Sequence, residues 1–309
     1  MTVQLPTIDT SSSNDSREQE RMTDAFIGVD LSLLGAVSAD EYASLGLDLP
    51  VEYVNFPKLA SCAGASCSGG LDFISLSMDF QTRSDRVSSM DAVRTMARIL
   101  DAGEGGFSAE IPGDKESFEE AISLLAKQRD GWGCIEVAVV DNTDVKRLAD
   151  AAAQARARGI QVTVKVRVED LAELDVDLLV SWADSIRLLT ADPHKAREVR
   201  FALRSAARKQ NRSLSVLVEI GIVISGSQQA ANERALLIGA MQGAPAFEGK
   251  ASVVGTVYDV ADLVESWIGL GAADGIIFLP ASLPTDLASV IRGVLPLLKA
   301  RATSLEVTK

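Results

Sequence analysis

Lys165 and Arg167 are the first residues of this sequence to invite a chemical reading. They alternate with Val164 and Val166 in an apolar run from Ile160 to Val168, so on an extended strand both cations project from one side. Two cations so placed can bind an anionic group such as phosphate, or they can pair with acids across the fold. Buried, they need such partners. By the same alternation Ser75 and Ser77 share a side of another apolar run, with Asp79 just beyond it. Asp141-Asn142-Thr143 has the composition of a helix start. The free amides of such a start can cradle phosphate, although Asp141 and Asp144 would repel it.

Other chemistries find less support. The single histidine, His194, follows Pro193 at the start of a helical stretch, where a first-turn surface residue is expected rather than a general base. Cys62, Cys67 and Cys134 form no CxxC motif, and with one histidine they predict no metal site. Gly103-Glu104-Gly105-Gly106 precedes a strand instead of joining a strand to a helix, so it reads as a turn and not a dinucleotide fingerprint. A serine with a distant His194 makes no triad without geometry, and several carboxylates of unknown separation make no glycosidase.

These residues must be positioned by something, and the hydrophobic pattern supplies it. The chain has 309 residues, 47% of them hydrophobic, which is ample for a large core. A formal charge of −13 argues against unassisted binding to nucleic acid or to an anionic membrane surface. No signal peptide and no membrane-spanning run is read, so a cytoplasmic protein is expected. Residues 1–21 read as a flexible arm, 22–303 as one domain and 304–309 as a tail. Strands are predicted at Ala25–Leu31, Phe73–Ser77, Phe107–Ile111, Cys134–Val140, Ile160–Val168, Ser185–Leu189, Leu214–Ile224 and Ile276–Leu279, with mostly helical returns between them. Near the C-terminus, Thr256 and Asp259 form a capping-box-like helix start, and Gly271 suits a left-handed helix end. Residues 242–252 read as a loop, and 176–182 as an apolar run of undecided type.

Eight strands in this order predict a (β/α)₈ barrel, in which chemistry belongs at the C-terminal strand ends. Those positions include Asp30, Ser77, Asp79, Glu110, Asp141, Asn142, Lys165, Arg167, Thr190 and Ser282.

The C-terminal stretch also resembles the bacterial-luciferase-like, flavin-dependent monooxygenases, in particular their nitrilotriacetate-monooxygenase-like branch. The resemblance is carried by Gly255-Thr256, Val260-Ala261-Asp262, Gly271-Ala272-Ala273-Asp274-Gly275 and Val294-Leu295-Pro296-Leu297-Leu298, with an echo at Gly69-Gly70-Leu71-Asp72. It implies a closed luciferase-like barrel, FMN as cofactor, a separate flavin reductase, a small organic substrate and a homodimer. Carried over to this chain, it marks Ser77 and Asp79 as flavin- or substrate-near. Lys165 and Arg167 become phosphate partners, with Asn142 at a helix start beside them. Two departures stand out. The family's flavin-side histidine is absent after the third strand, and the long excursion after the fourth strand is reduced to the few residues between Val140 and Val145. Two functions are therefore expected as alternatives: a reduced-flavin-dependent monooxygenase, or a noncatalytic paralogue that binds a small ligand or serves as a homodimeric structural protein.

Overall fold

Alternation along the strands decides the architecture. The computed structural model describes residues 25–32, 56–77, 92–100, 106–126, 132–242, 245–247 and 249–307. The expected N-terminal arm, Asp79 and the Gly103–Gly105 part of the expected turn lie outside them.

The strands are β1 (Phe26–Asp30), β2 (Phe73–Leu76), β3 (Gly106–Glu110), β4 (Trp132–Ala138), β5 (Gln161–Arg167), β6 (Ser185–Leu189), β7 (Ser215–Ile224), β8 (Ser252–Gly255) and β9 (Gly275–Pro280). All pair in parallel. β1 to β7 run side by side in order, and β9 closes the ring between β7 and β1. Eight strands thus form the barrel, and the expected (β/α)₈ class is what the chain adopts. Every other residue, such as Val162, Val164 and Val166 on β5 or Val216, Val218 and Ile220 on β7, belongs to the buried apolar core between strands and helices. The intervening residues face the lumen.

The helices are α1 (Phe56–Ser68), α2 (Ala92–Leu100), α3 (Lys115–Leu125), α4 (Asn142–Ala157), α5 (Val176–Trp182), α6 (Pro193–Lys209), α7 (Gln228–Gln242), α8 (Val257–Gly269), α9 (Thr285–Ser289) and α10 (Leu295–Val307). A single π turn, Val290–Val294, joins the last two. The undecided run at 176–182 is helical because Asp175 caps it, accepting the Leu178 amide at 3.0 Å. The capping box at Thr256 and Asp259 forms as expected, and Gly271 takes φ +74°, open to glycine at no steric cost. Among the described residues no helix is long and apolar enough to cross a membrane.

The structure corrects one reading. The end of the expected loop at 242–252 is the start of a ninth strand, β8, which pairs with the overhanging end of β7 from Gly221 to Ile224. β7 is ten residues long, and its last turns rise beyond the point where β6 stops, so its exposed edge needs a partner. β8 supplies it and holds the preceding segment, with Phe247 and Lys250, over the C-terminal mouth.

Candidate functional site at the barrel mouth

The lumen is built from the polar half of each strand. At its centre lies Arg187 of β6, 1% exposed. Its Nε donates to Glu219 Oε1 at 2.7 Å, one terminal nitrogen to Glu136 Oε1 at 2.9 Å and Ser75 Oγ at 2.8 Å, and the other to Asp30 Oδ2 at 3.0 Å. A guanidinium suits this place because its planar fork can address several acceptors from one fixed position. Asp30 is held further by the Ser32 amide at 2.9 Å and the Ser77 hydroxyl at 2.5 Å. One layer up, Lys165 Nζ donates to both oxygens of Glu110 at 3.2 and 3.1 Å, and both side chains are buried.

Charge balance explains how this interior titrates. Among the described residues the lumen holds four carboxylates, Asp30, Glu110, Glu136 and Glu219. Against them stand three cations, Arg187, Lys165 and the half-buried Lys250, which reaches Glu219 Oε2 at 3.3 Å. One acid is in excess, and Glu136 is the one that gives way. Burial pushes its carboxyl up to about 7, against the opposing pull of Arg187 and Lys165. For Asp30 and Glu219 burial is the largest single effect and acts upward, but Arg187 together with the Ser32 and Ser77 hydrogen bonds at Asp30, and Arg187 together with Lys250 and Lys165 at Glu219, outweigh it, and both carboxyls end below their ordinary values. Arg187 itself is desolvated, yet Glu136, Glu219 and Asp30 raise its pKa well above the ordinary value.

Above the network, the described residues around the mouth differ between its β7–β9 side and its β5–β6 side. On the β7–β9 side the Phe247 ring lies where a side chain on Gly221 would stand, since a Cβ there would come within 2.2 Å of it. Phe247 packs with Val223, Leu279 and Ala281 into a small apolar plug. On the β5–β6 side a cavity of about 600 Å³ remains. Arg167, Lys195 and Lys250 bring three cations to its wall, with Thr190, Leu189, Ala191 and Gly249 between them and Glu169, Asp192 and Glu219 as acids. A volume of this size falls within the range of small-molecule and cofactor sites.

The residues singled out in the sequence separate on this geometry. Arg167 projects into the cavity wall and is exposed. Lys165 shares its side of β5, as the alternation predicts, but sits deeper and is engaged by Glu110. Ser77 is buried and directed at Asp30, and its amide donates to Ser32 Oγ at 2.6 Å. Asn142 clasps the chain before α5, donating to the Glu173 carbonyl at 2.7 Å and accepting from the Asp175 amide at 2.6 Å. Asp79 lies outside the described residues. His194 is an exposed first-turn residue whose amide donates to Asp192 at 2.8 Å. The cavity therefore unites Arg167 with Thr190, both read as strand-end positions, and with Lys195 and Lys250, which sequence reasoning missed. It also missed Arg187, Glu136 and Glu219. Continuing the Lys165/Arg167 alternation onto the neighbouring strands would have found them, since each is the charged residue at an inward position of its strand.

No protein-family model matches the sequence, and neither does any curated protein. Solved structures do match the fold. An EDTA monooxygenase from Chelativorans sp. BNC1 superposes with a TM-score of 0.70 at 13% identity, covering 90% of this chain and 94% of that one. A long-chain alkane monooxygenase gives 0.71 at 9% identity, covering 90% and 92%. A riboflavin lyase, solved with modified FMN and riboflavin, gives 0.68 at 12% identity over 90% and 92%. At such identities it is the architecture that is shared: this chain has the luciferase-like TIM-barrel fold.

Proposed function

We propose that the protein is a reduced-FMN-dependent monooxygenase of the luciferase-like family, in its nitrilotriacetate-monooxygenase-like branch, acting on a small organic substrate at the barrel mouth. The observation that carries this reading is the cavity of about 600 Å³ beside β5 and β6, with Arg167, Lys195 and Lys250 on its wall. Three cations and the Thr190 hydroxyl fit a phosphate of nearly two negative charges, so these four residues would hold the phosphate end of the flavin. Bound there, reduced FMN supplies the electrons that activate molecular oxygen for insertion of one oxygen atom into the substrate. The protein's part is to orient and enclose. Glu219 grips Arg187 with one oxygen and Lys250 with the other, which ties the mouth cation to the rigid lumen. Phe247 fills the β7–β9 side and the ion network the lumen beneath it, which leaves the β5–β6 side for ligand among the described residues. Ser77, Lys165 and Asn142 support this frame from behind, by the contacts described above. A flavin reductase as electron source, a homodimer formed through the barrel helices and a cytoplasmic location belong to the same reading.

A second reading is favoured by one specific observation. The lumen acids are engaged by cations, and the cavity's apolar lining is limited to Leu189, Ala191 and Gly249, a small platform for a tricyclic ring. A noncatalytic barrel that binds a smaller anionic ligand would look the same. Anaerobic titration of the purified protein with FMN and with reduced FMN, followed by admission of oxygen, separates the two. Saturable binding of reduced FMN with protein-dependent oxygen uptake supports the monooxygenase. Binding without oxygen uptake supports the second reading. Absence of binding of either flavin at tens of micromolar overturns the flavin assignment.

A further inference from the structure

The opposite, N-terminal end of the lumen carries a second cavity with different chemistry. Its volume is about 130 Å³. One wall is apolar: Phe26, Phe73, Leu217 and Ile277 form a separate hydrophobic cluster at the starts of β1, β2, β7 and β9. Two glycines make that wall possible. A Cβ on Gly28 would meet the Phe73 ring at 2.4 Å, and one on Gly275 would meet the Phe26 carbonyl at 2.5 Å and Leu217 Cδ2 at 2.8 Å. The side chains can therefore lie close against backbone, and the cavity remains beside them.

The other wall is polar and uncharged. Cys134 Sγ and Thr163 Oγ1 are 2.9 Å apart, and Thr163 Oγ1 lies 2.5 Å from Ser185 Oγ. The roof is the Glu136 carboxyl, which accepts from Ser108 Oγ at 3.3 Å and is held from above by Arg187. Gln161 and Ser213, both exposed, stand at the rim. At that rim Asp184 is satisfied by Arg156 at 3.1 Å and Arg212 at 3.0 Å, so among the described residues that line the cavity no charge at the entrance is left unpaired.

From this we infer that the N-terminal chamber is a binding site for a small neutral aromatic alcohol, its ring against Phe26, Phe73, Leu217 and Ile277 and its hydroxyl towards Glu136 and the hydroxyl–thiol wall. An apolar cavity of about 150 Å³ holds benzene, so this volume takes a single ring, or about four waters at roughly 30 Å³ each. Hydroxyls that both donate and accept match a ligand hydroxyl. An anion would meet an interior that already has a carboxylate in excess, and a cation would compete with Arg187 for Glu136. Neutral ligands are the class that remains. The site lies at the other end of the lumen from the mouth cavity and stands whether or not flavin binds there.

Phenol and benzene, titrated into methyl-labelled full-length protein, test the proposal. Phenol is expected to produce saturable ring-current shifts at the Leu217 and Ile277 methyls, with affinity roughly fivefold or more above that of benzene, as one net hydrogen bond provides. Added FMN should leave these shifts unchanged. A Cys134→Leu variant, with bulk placed in the chamber, should lose them while a circular-dichroism spectrum confirms folding. Should that variant not fold, the wild-type titrations decide alone. No saturable shift at these methyls up to roughly 10 mM phenol, a concentration that would reveal even weak binding, overturns the proposal. So does equal affinity for benzene and phenol, or a phenol-soaked crystal showing only water in the chamber.

Discussion

The lumen and the mouth use the same residue types in opposite ways. In the lumen Asp30, Glu110, Glu136, Glu219, Lys165 and Arg187 are all buried and each is fixed by an opposite charge at hydrogen-bond distance, with Arg187 contacting three carboxylates and a serine. At the mouth Arg167 and Lys195 are exposed, and Lys250 is only half-buried. Buried pairs of this kind contribute to fold specificity and little to ligand binding, because neither partner can leave the other without stranding a charge. Exposed cations around a cavity contribute little to stability and remain available to a ligand. The scaffold and the candidate chemistry are therefore separable by mutation.

Removing the hub should have the largest effect. Arg187→Met leaves Asp30, Glu136 and Glu219 without their shared cation, and a loss of about 5 kcal/mol, or failure to fold, is expected in urea denaturation. Lys165→Met takes from Glu110 the ammonium that both its oxygens accept from and should cost about 3 kcal/mol. The Lys165→Met/Glu110→Leu double variant should recover most of that loss. If it does not, the pair is not the coupled unit described here.

Glu136 sharpens the comparison through pH. Its carboxyl is raised from 4.5 to about 7 in the folded protein by burial, so between these values the native state binds a proton that the unfolded chain has released. Its contribution to stability is therefore present at low pH and is lost as pH rises through 7. Asp30 and Glu219 shift downward and matter only below the ordinary carboxylate range, while Asp72, Asp184 and Asp286 are also raised by burial, so it is the difference between wild type and Glu136→Gln in urea titrations from pH 5 to 8 that isolates Glu136. Wild type should lose on the order of 1–2 kcal/mol more than Glu136→Gln over that interval. Parallel profiles would show that the proton resides elsewhere.

The smallest effect on stability belongs to the mouth. Arg167→Ala should alter it by less than about 0.5 kcal/mol, as expected for an exposed side chain. The same change should weaken FMN binding roughly tenfold, the share of one charge-assisted contact to phosphate. An unchanged flavin affinity would remove Arg167 from the phosphate site.

How much of this was legible in the sequence follows from range. The barrel strands were readable because Val and Ile recur at every second position, a local signal, and the helix starts because Asp141, Asp192 and Thr256 sit just before apolar periodicity. The pairing of Lys165 with an acid was one of two expected outcomes, but Glu110 could not be chosen among many acids. Arg187 was hidden in Ser185–Leu189, which reads as an apolar strand with one odd residue. Its contact with Asp30 spans 157 positions and exists only because β9 closes the ring. β8 was lost for a different reason. Its four residues run directly into the Thr256 helix start, so no pattern of its own has room to develop.

α3, α4, α5 and α6 all begin at the mouth end, and each is capped by an aspartate, Asp114, Asp141, Asp175 and Asp192, whose carboxylate already occupies first-turn amides. A phosphate arriving here meets no free backbone cradle of fixed shape on these helices. It must be gripped by long side chains whose attraction is screened over about 8 Å at physiological ionic strength. Affinity at this mouth should accordingly fall steeply with added salt, and sulfate should compete with phosphate on nearly equal terms. A barrel built this way gives up selectivity for the shape of the anion and lets the ionic composition of its surroundings govern how often the mouth is filled.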